Sequence, residues 1–148
     1  MVFAAHGLFG ISCISALTVQ STMGVAASYP VSPEVVEATL DQLQDDLRPA
    51  GIKIGMLETA EVVAVVAGFL ERNPRVPVVL DPVLRSSSGR ELLSLAGIDL
   101  LRERLLPQVS WVTPNLAELA ILTGMPVTTH EEMAVAGASL RDTYPWVT

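Results

Sequence analysis

The sequence is short of cysteine and of basic residues, and each shortage excludes a class of protein. Cys13 is the only cysteine, so no intramolecular disulfide can form and we expect a reducing, cytoplasmic compartment. Lys and Arg number 9 against 16 Asp and Glu, a net charge of −7, which argues against a nucleic-acid partner. A small phosphate-bearing ligand remains compatible, because backbone N–H groups and Mg²⁺ can bind it.

The sequence also lacks a long apolar run. The apolar stretch from Gly7 ends at Val19, about 13 residues, whereas a membrane-spanning helix needs ~20. A secretory signal peptide is the alternative, with Ala26-Ala27-Ser28 as its cleavage site. However, residues 1–6 contain no Lys or Arg to form a basic leader region. We therefore expect neither a membrane anchor nor secretion.

Half of the 148 residues are hydrophobic, which is enough to bury one core, and the length suits a single domain. Short β-rich runs alternate with helical runs. Strands are predicted at 11–19, 52–55, 76–80 and 109–113, and a further one begins at Trp146. Helices are predicted to begin at Ser32-Pro33-Glu34, Thr59, Asn115 and Thr129, and another is predicted around 98–105. Gly124 is predicted to end the helix that begins at Asn115. This alternation predicts an α/β fold with a doubly wound, mostly parallel sheet and helices on both faces.

Polar or flexible residues follow the predicted strands at the points where they end. Ligands bind outside the carboxyl ends of the strands in open parallel sheets. The clusters are Thr18-Val19-Gln20, Gly55-Met56-Leu57, Asp81-Pro82-Val83, and Thr113-Pro114-Asn115 with Glu118. Each has a purely structural explanation when taken alone; Asn115 and Glu118, for example, have the spacing of a helix capping box. Four clusters at one edge of one sheet together favour a binding site.

The chemistry of these side chains suits a nucleotide-dependent reaction on a heterocycle. Asp81 and Glu118 offer the one or two carboxylates that Mg²⁺ prefers alongside water and phosphate oxygens. The amide of Gln20 both donates and accepts, as the edge of a heterocyclic ring requires. The sequence contains no Walker A motif, and its Ser/Gly loop at 86–89 is only a weak phosphate signal.

These motifs together resemble the hydroxymethylpyrimidine and phosphomethylpyrimidine kinases of thiamine biosynthesis, which are members of the ribokinase-like superfamily. The resemblance covers nearly the whole chain. It is carried by Phe3-Ala4-Ala5-His6-Gly7, Ala16-Leu17-Thr18-Val19-Gln20-Ser21-Thr22-Met23-Gly24-Val25, Lys53-Ile54-Gly55-Met56-Leu57, Leu80-Asp81-Pro82-Val83, Ser88-Gly89 with Leu92-Leu93, and Thr113-Pro114-Asn115-Leu116-Ala117-Glu118. Asp-Pro-Val and Asn-x-x-Glu are shared with pyridoxal kinases, so a pyridoxal-type kinase is the alternative enzyme.

The resemblance implies ATP and Mg²⁺ as cofactors and a small aminopyrimidine as substrate, in an enzyme that is a homodimer at full length. It implies that Gln20, Thr18 and Met56 bind the pyrimidine. It places Asp81, Asn115 and Glu118 on the metal and phosphate side.

The sequence departs from the family's pattern in several places. Ser21 stands where Asn is usual, and Arg85 and Ser87 differ from the usual residues of their loop. The family's Gly-rich segment, expected before Phe3, and its Gly-Thr-Gly-Cys anion hole with the catalytic base, expected after Thr148, are absent from this sequence. We therefore expect residues 1–148 to be the central part of one kinase domain, inactive alone. A pyrimidine-binding module without catalysis is the non-enzymatic alternative.

Overall fold

The computed structural model of the chain describes residues 2–86 and 89–148. Its strands are β1 (Ala16–Ser21), β2 (Gly24–Pro30), β3 (Ile52–Ile54), β4 (Val78–Leu80) and β5 (Trp111–Val112). Its α-helices are α1 (Val2–Ala5), α2 (Pro33–Asp46), α3 (Ala60–Glu71), α4 (Leu95–Leu100), α5 (Leu116–Thr123) and α6 (His130–Thr143). The predicted helix near Ile98 is α4, which continues through a π-turn (Leu101–Leu105) and a 3₁₀ turn (Leu106–Gln108).

The central sheet is parallel and has the order β3-β4-β5. Ile52 lies opposite Val78, and Val79 lies opposite Trp111. Helix α3 connects β3 to β4, and α4 with its two turns connects β4 to β5, so the sequence order is that of βαβ units. The predicted α/β class, a parallel sheet flanked by helices, is confirmed.

The final predicted strand, expected to begin at Trp146, meets the sheet at Thr148. Val147 donates its backbone N–H to Tyr144 O at 3.0 Å, which is a turn. Only Thr148 joins the sheet: its N–H donates to Ser110 O at 3.0 Å, and its carbonyl accepts from Val112 N at 3.2 Å. These two bonds follow the parallel ladder pattern and place Thr148 beside β5.

The prediction of a buried strand over 11–19 is wrong. The strand there is β1, which begins at Ala16 and pairs antiparallel with β2 in a separate two-stranded hairpin. Leu17 and Val19 are 58% and 54% exposed, because a two-stranded ribbon outside the main sheet has no second layer over its outer face. The second strand, β2, was not predicted.

The core lies between the parallel sheet and its helices. Helix α3 packs against α2, α4 and the π-turn, while α5 packs against α6. The largest side chains that are almost completely buried include Leu80, Leu84, Leu101, Leu105 and Leu106. Within the described parts of the chain, no helix is long and apolar enough to cross a bilayer.

The predicted helix ends are mostly confirmed. Thr59 Oγ1 accepts from Val62 N at 3.2 Å and begins α3. Thr129 forms a capping box with Glu132 at the start of α6, and Gly124 ends α5 with a φ of 70°. Ser32 is the residue before α2 as predicted, but its side chain makes no capping hydrogen bond to the helix backbone.

Candidate active site at the carboxyl edge of the sheet

The residues that follow β4 and β5 lie at one edge of the sheet. The backbone N–H of Asp81 donates to Ile54 O at 2.9 Å, and that of Thr113 donates to Leu80 O at 2.9 Å. Each bond joins the residue after one strand to the last residue of its neighbour and so continues the parallel ladder. Asp81 and Thr113 therefore begin their loops at the edge where parallel α/β sheets bind ligands.

Asp81 forms an ion pair with a residue of the neighbouring strand. Lys53 Nζ lies 3.0 Å from Asp81 Oδ2, and the two side chains are 51% and 39% exposed. Lys53 occupies the middle of β3, so its side chain reaches across to the end of β4. A metal ion that used the Asp81 carboxylate would compete with this ammonium group.

Asn115 and Glu118 form the capping box that their spacing predicts. Asn115 Oδ1 accepts from Glu118 N at 3.0 Å, and Glu118 Oε2 accepts from Asn115 N at 2.9 Å. Glu118 is only 5% exposed, and among the described residues it is the only charged one that is buried. The box fixes the start of α5 directly after β5, while one carboxylate oxygen of Glu118 is already engaged.

Side-chain hydrogen bonds hold the hairpin against the loop that follows β3. Ser15 Oγ, just before β1, donates to Met56 O at 2.6 Å. On β2, Ser28 Oγ donates to Glu58 Oε1. The hairpin is thus attached to residues 56–58, at the same edge of the sheet as Asp81.

Thr18 and Gln20 lie on the hairpin face that is attached to this edge. Thr18 lies directly opposite Ser28, and side chains of opposed residues in an antiparallel pair share a face. Because side chains alternate along a strand, Gln20 lies on the same face of β1 as Thr18. Thr18 is half-buried and Gln20 is exposed.

A β-bulge separates these two positions. Val19 pairs with Ala27 and Gln20 pairs with Val25, so Ala26 is the extra residue on β2. The Ala26 carbonyl accepts from Arg90 Nη1 at 2.6 Å. Arg90 thus satisfies a carbonyl of the bulge residue and ties the loop after β4 to the hairpin.

The structure brings most of the predicted site residues to one side of the molecule, but their side chains differ in burial and in hydrogen bonding. Met56 is half-buried, and its carbonyl is one of the attachment points of the hairpin. Asp81 and Asn115 follow adjacent strands. Glu118 belongs to the same loop and helix start, but it is buried within its cap.

Several residues of this region were not predicted from the sequence. They are Lys53, which pairs with Asp81, and the residues that attach the hairpin: Ser15, Ser28, Glu58 and Arg90. Gly24, at a φ of 129°, follows the turn of the hairpin and is the sequence signal that could have indicated it. In the Ser/Gly loop, Ser87 and Ser88 lie outside the described residues, and Arg85 pairs with Glu91 at 3.6 Å.

A polar cavity of about 470 Å³ lies away from this region, lined by Gln44, Asp45, Asp46, Arg48, Arg72 and Asn73. These residues precede β3 and β4 in the chain, so the cavity is at the amino ends of the strands. Ligands of parallel α/β sheets bind at the opposite edge. The cavity therefore does not compete with the carboxyl edge as the candidate active site.

Comparisons with known proteins identify the family of the chain. The profile of the family described as phosphomethylpyrimidine kinase matches residues 1–147. The hydroxymethylpyrimidine/phosphomethylpyrimidine kinase of Salmonella typhimurium is 45% identical over 139 residues, which are 93% of this chain and 52% of that protein. The chain thus spans about half the length of the curated relatives that it matches.

Solved structures share the fold. A phosphomethylpyrimidine kinase from Clostridium difficile superposes with a TM-score of 0.85 at 28% identity, over 95% of this chain and 63% of that one. A Staphylococcus aureus pyridoxal kinase in complex with AMP-PCP gives a TM-score of 0.81 at 26% identity, over 95% and 51%. The resemblance found in the sequence is confirmed, and the chain belongs to the phosphomethylpyrimidine kinase family.

Proposed function

We propose that this chain is the pyrimidine-binding and metal-binding part of an ATP-dependent kinase. The substrate would be 4-amino-5-hydroxymethyl-2-methylpyrimidine, its monophosphate, or both, in thiamine diphosphate biosynthesis. The observation that carries the proposal is the match of the phosphomethylpyrimidine kinase family to residues 1–147. The hairpin supports it, because its Thr18 and Gln20 face lies at the carboxyl edge of the sheet.

The pyrimidine would be bound between the hairpin and the loop after β3. Gln20 is exposed near the end of β1, and its amide can donate to a ring nitrogen and accept from the adjacent amino group. Thr18 and Met56, both half-buried, would line the pocket. Such an arrangement orients the hydroxymethyl oxygen for attack, and positioning of this kind is a major part of phosphoryl-transfer catalysis.

The phosphate side would be formed by Asp81, Asn115 and Glu118. Among the described residues, no group of three or more His, Cys, Asp or Glu side chains could hold a metal ion. Mg²⁺ is commonly held by one or two carboxylates together with water and phosphate oxygens. The partly exposed Asp81 carboxylate fits that kind of site, and we propose that the buried Glu118 adds negative charge to it. When bound with ATP, Mg²⁺ would neutralise charge on the phosphates.

No residue of the chain is assigned as the catalytic base. We expect the 148-residue chain alone to show no turnover above background, because the resemblance implies an anion hole outside it. Removing such a group costs several kcal/mol, roughly 10²–10³ in rate. We propose in addition that the full-length enzyme is a cytoplasmic homodimer.

The test is phosphoryl transfer by the longest protein that the gene encodes, purified and given ATP and Mg²⁺. Three acceptors are compared: hydroxymethylpyrimidine, its monophosphate and pyridoxal. We expect both pyrimidines to be phosphorylated with a higher kcat/KM than pyridoxal.

A pyridoxal-type kinase remains the second candidate, because solved pyridoxal kinases share the fold. A kcat/KM that is higher for pyridoxal would establish this alternative in place of our proposal. Pyrimidine binding with no phosphorylation of any acceptor would instead indicate the non-catalytic module.

A further inference from the structure

Glu58 combines a strained backbone with a side chain that reaches the hairpin. Its φ is 66°, and it is the only non-glycine residue with a positive φ in the part of the chain that the structure describes. Residues other than Gly, Asn and Asp seldom adopt this conformation. A fold keeps such a residue only where its surroundings fix it, and these positions cluster at functional sites.

The surroundings of Glu58 do fix its backbone. Its carbonyl accepts from Ser94 N at 3.4 Å, and the residue forms a parallel bridge with Leu93. Leu57, before it, is buried in the core, and Thr59, after it, caps α3. The backbone of Glu58 is therefore held by its neighbours between the end of β3 and the start of α3.

The side chain of Glu58 extends from this backbone position to the hairpin. Its Oε1 accepts from Ser28 Oγ, and Ser28 lies opposite Thr18. Its Oε2 is buried and has no hydrogen-bond partner among the described residues. An acceptor left in this way is unfavourable for stability, so stability alone does not explain why a carboxylate occupies this position.

We propose that Glu58 is a positioning residue for the aminopyrimidine pocket. Through Ser28 it sets the distance between the hairpin face that carries Thr18 and Gln20 and the loop that carries Met56. The pocket is thereby preorganised before the substrate binds, which lowers the ordering cost of binding. This inference rests on the proposed function, because it assigns Glu58 to the same pyrimidine site.

Four variants test this role, and they distinguish the effect of losing the carboxylate from the effect of relieving the backbone strain. Glu58→Ala removes the carboxylate and keeps the strain, whereas Glu58→Gly removes the carboxylate and relieves it. Glu58→Gln keeps an acceptor for Ser28, and Ser28→Ala removes the donor. Glu61→Ala is the matched control, because Glu61 is an exposed carboxylate in the first turn of α3.

In the longest protein that the gene encodes, we expect Glu58→Ala, Glu58→Gly and Ser28→Ala to raise the KM for hydroxymethylpyrimidine about tenfold. The reason is that each variant loses the Ser28–Glu58 hydrogen bond and leaves the pocket less preorganised. The KM for ATP and kcat should change much less. Glu58→Gln should restore most of the pyrimidine affinity, and Glu61→Ala should match wild type. A general loss of stability would not produce this difference between the two substrates.

Hydrogen exchange provides a readout that does not depend on the reaction. Amides of residues 16–30 should exchange severalfold faster in Glu58→Gly than in wild type, while those of β4 stay unchanged. Unchanged hairpin exchange, or an unchanged pyrimidine KM in both Glu58→Gly and Ser28→Ala, would overturn the positioning role. Failure of the wild-type protein to phosphorylate the pyrimidine would refute the proposed function instead, and faster hairpin exchange in Glu58→Gly would still show that Glu58 anchors the hairpin.

Discussion

Lys53 Nζ lies 3.0 Å from Asp81 Oδ2, across the parallel pair of β3 and β4. The two side chains are half-exposed, and ion pairs of this kind contribute only ~0–1 kcal/mol because solvent screens them. A metal ion accompanied by phosphates can therefore displace the ammonium group at little cost. In the proposed site, this weak pair would hold the Asp81 carboxylate at the sheet edge and still allow it to bind Mg²⁺.

Lys53→Met should lower the Mg²⁺ concentration needed for half-maximal activity, because the competing cation is gone. From the strength of exposed ion pairs we expect a change of roughly twofold to fivefold. The measurement is a Mg²⁺ titration of turnover at saturating pyrimidine and ATP. Lys53→Arg, which keeps the charge, should resemble wild type. A Lys53→Met protein that needs more Mg²⁺ than wild type would show that Lys53 assists the phosphate side rather than competing with the metal.

We expect Glu118 to cap α5 and also to supply negative charge at the proposed Mg²⁺ site, and two variants distinguish these roles. Glu118→Ala loses the buried half of the capping box and should reduce the free energy of unfolding by about 1 kcal/mol. Glu118→Gln can keep the cap, so it should lose less stability. It should nevertheless need more Mg²⁺ for activity, since the negative charge is gone.

The second capping box provides the control for Glu118. Glu132 makes the same kind of cap with Thr129 at the start of α6, away from the proposed site. Glu132→Ala should lose stability in denaturant titrations while its Mg²⁺ dependence stays that of wild type. If Glu118→Gln and wild type have the same Mg²⁺ dependence, Glu118 acts only as a helix cap.

Cys13 should react slowly with thiol reagents. Partial burial raises the pKa of its thiol above the ordinary value, and a hydrogen bond with Thr39 only partly opposes this shift. A raised pKa leaves less reactive thiolate at pH 8, so alkylation should be slower than in the protein unfolded in guanidinium. The midpoint of the rate–pH profile should be higher in the folded protein. Equal midpoints in the two states would contradict the burial of Cys13.

The α/β class and the order of the elements from α2 onward could be predicted because periodicity and caps are local signals. Thr59, Thr129 and Gly124 mark helix ends by their own chemistry, and the structure confirms all three. Predicted strands were too long, as with 109–113 against β5, because an apolar run does not show where the neighbouring strand stops pairing.

The hairpin and its attachments could not be predicted because they depend on distant residues. An apolar run over 11–19 indicates burial, but whether a strand is buried depends on the layer that covers it, and β1 pairs only with β2. Glu58 and Ser28 are 30 residues apart in the chain, and Lys53 and Asp81 are 28 apart. Nothing in the local sequence at either end identifies the partner.

In the proposed site, the hairpin presents Gln20 to an aminopyrimidine. Gln20→Glu keeps the side-chain shape and replaces the amide donor with a carboxylate that faces the lone pair of the ring nitrogen. Loss of that partner in a desolvated site costs ~1–3 kcal/mol, roughly tenfold to a hundredfold in affinity. Affinity for ATP should hardly change, because the nucleotide would lie on the side of Asp81.

The decisive measurement is a binding titration of hydroxymethylpyrimidine against the wild-type protein and Gln20→Glu, in the longest form that the gene encodes, with ATP as the control ligand. We predict a tenfold to hundredfold weaker pyrimidine Kd in Gln20→Glu and the same ATP Kd in both proteins. Equal pyrimidine affinity in the two proteins would contradict the proposed role of Gln20.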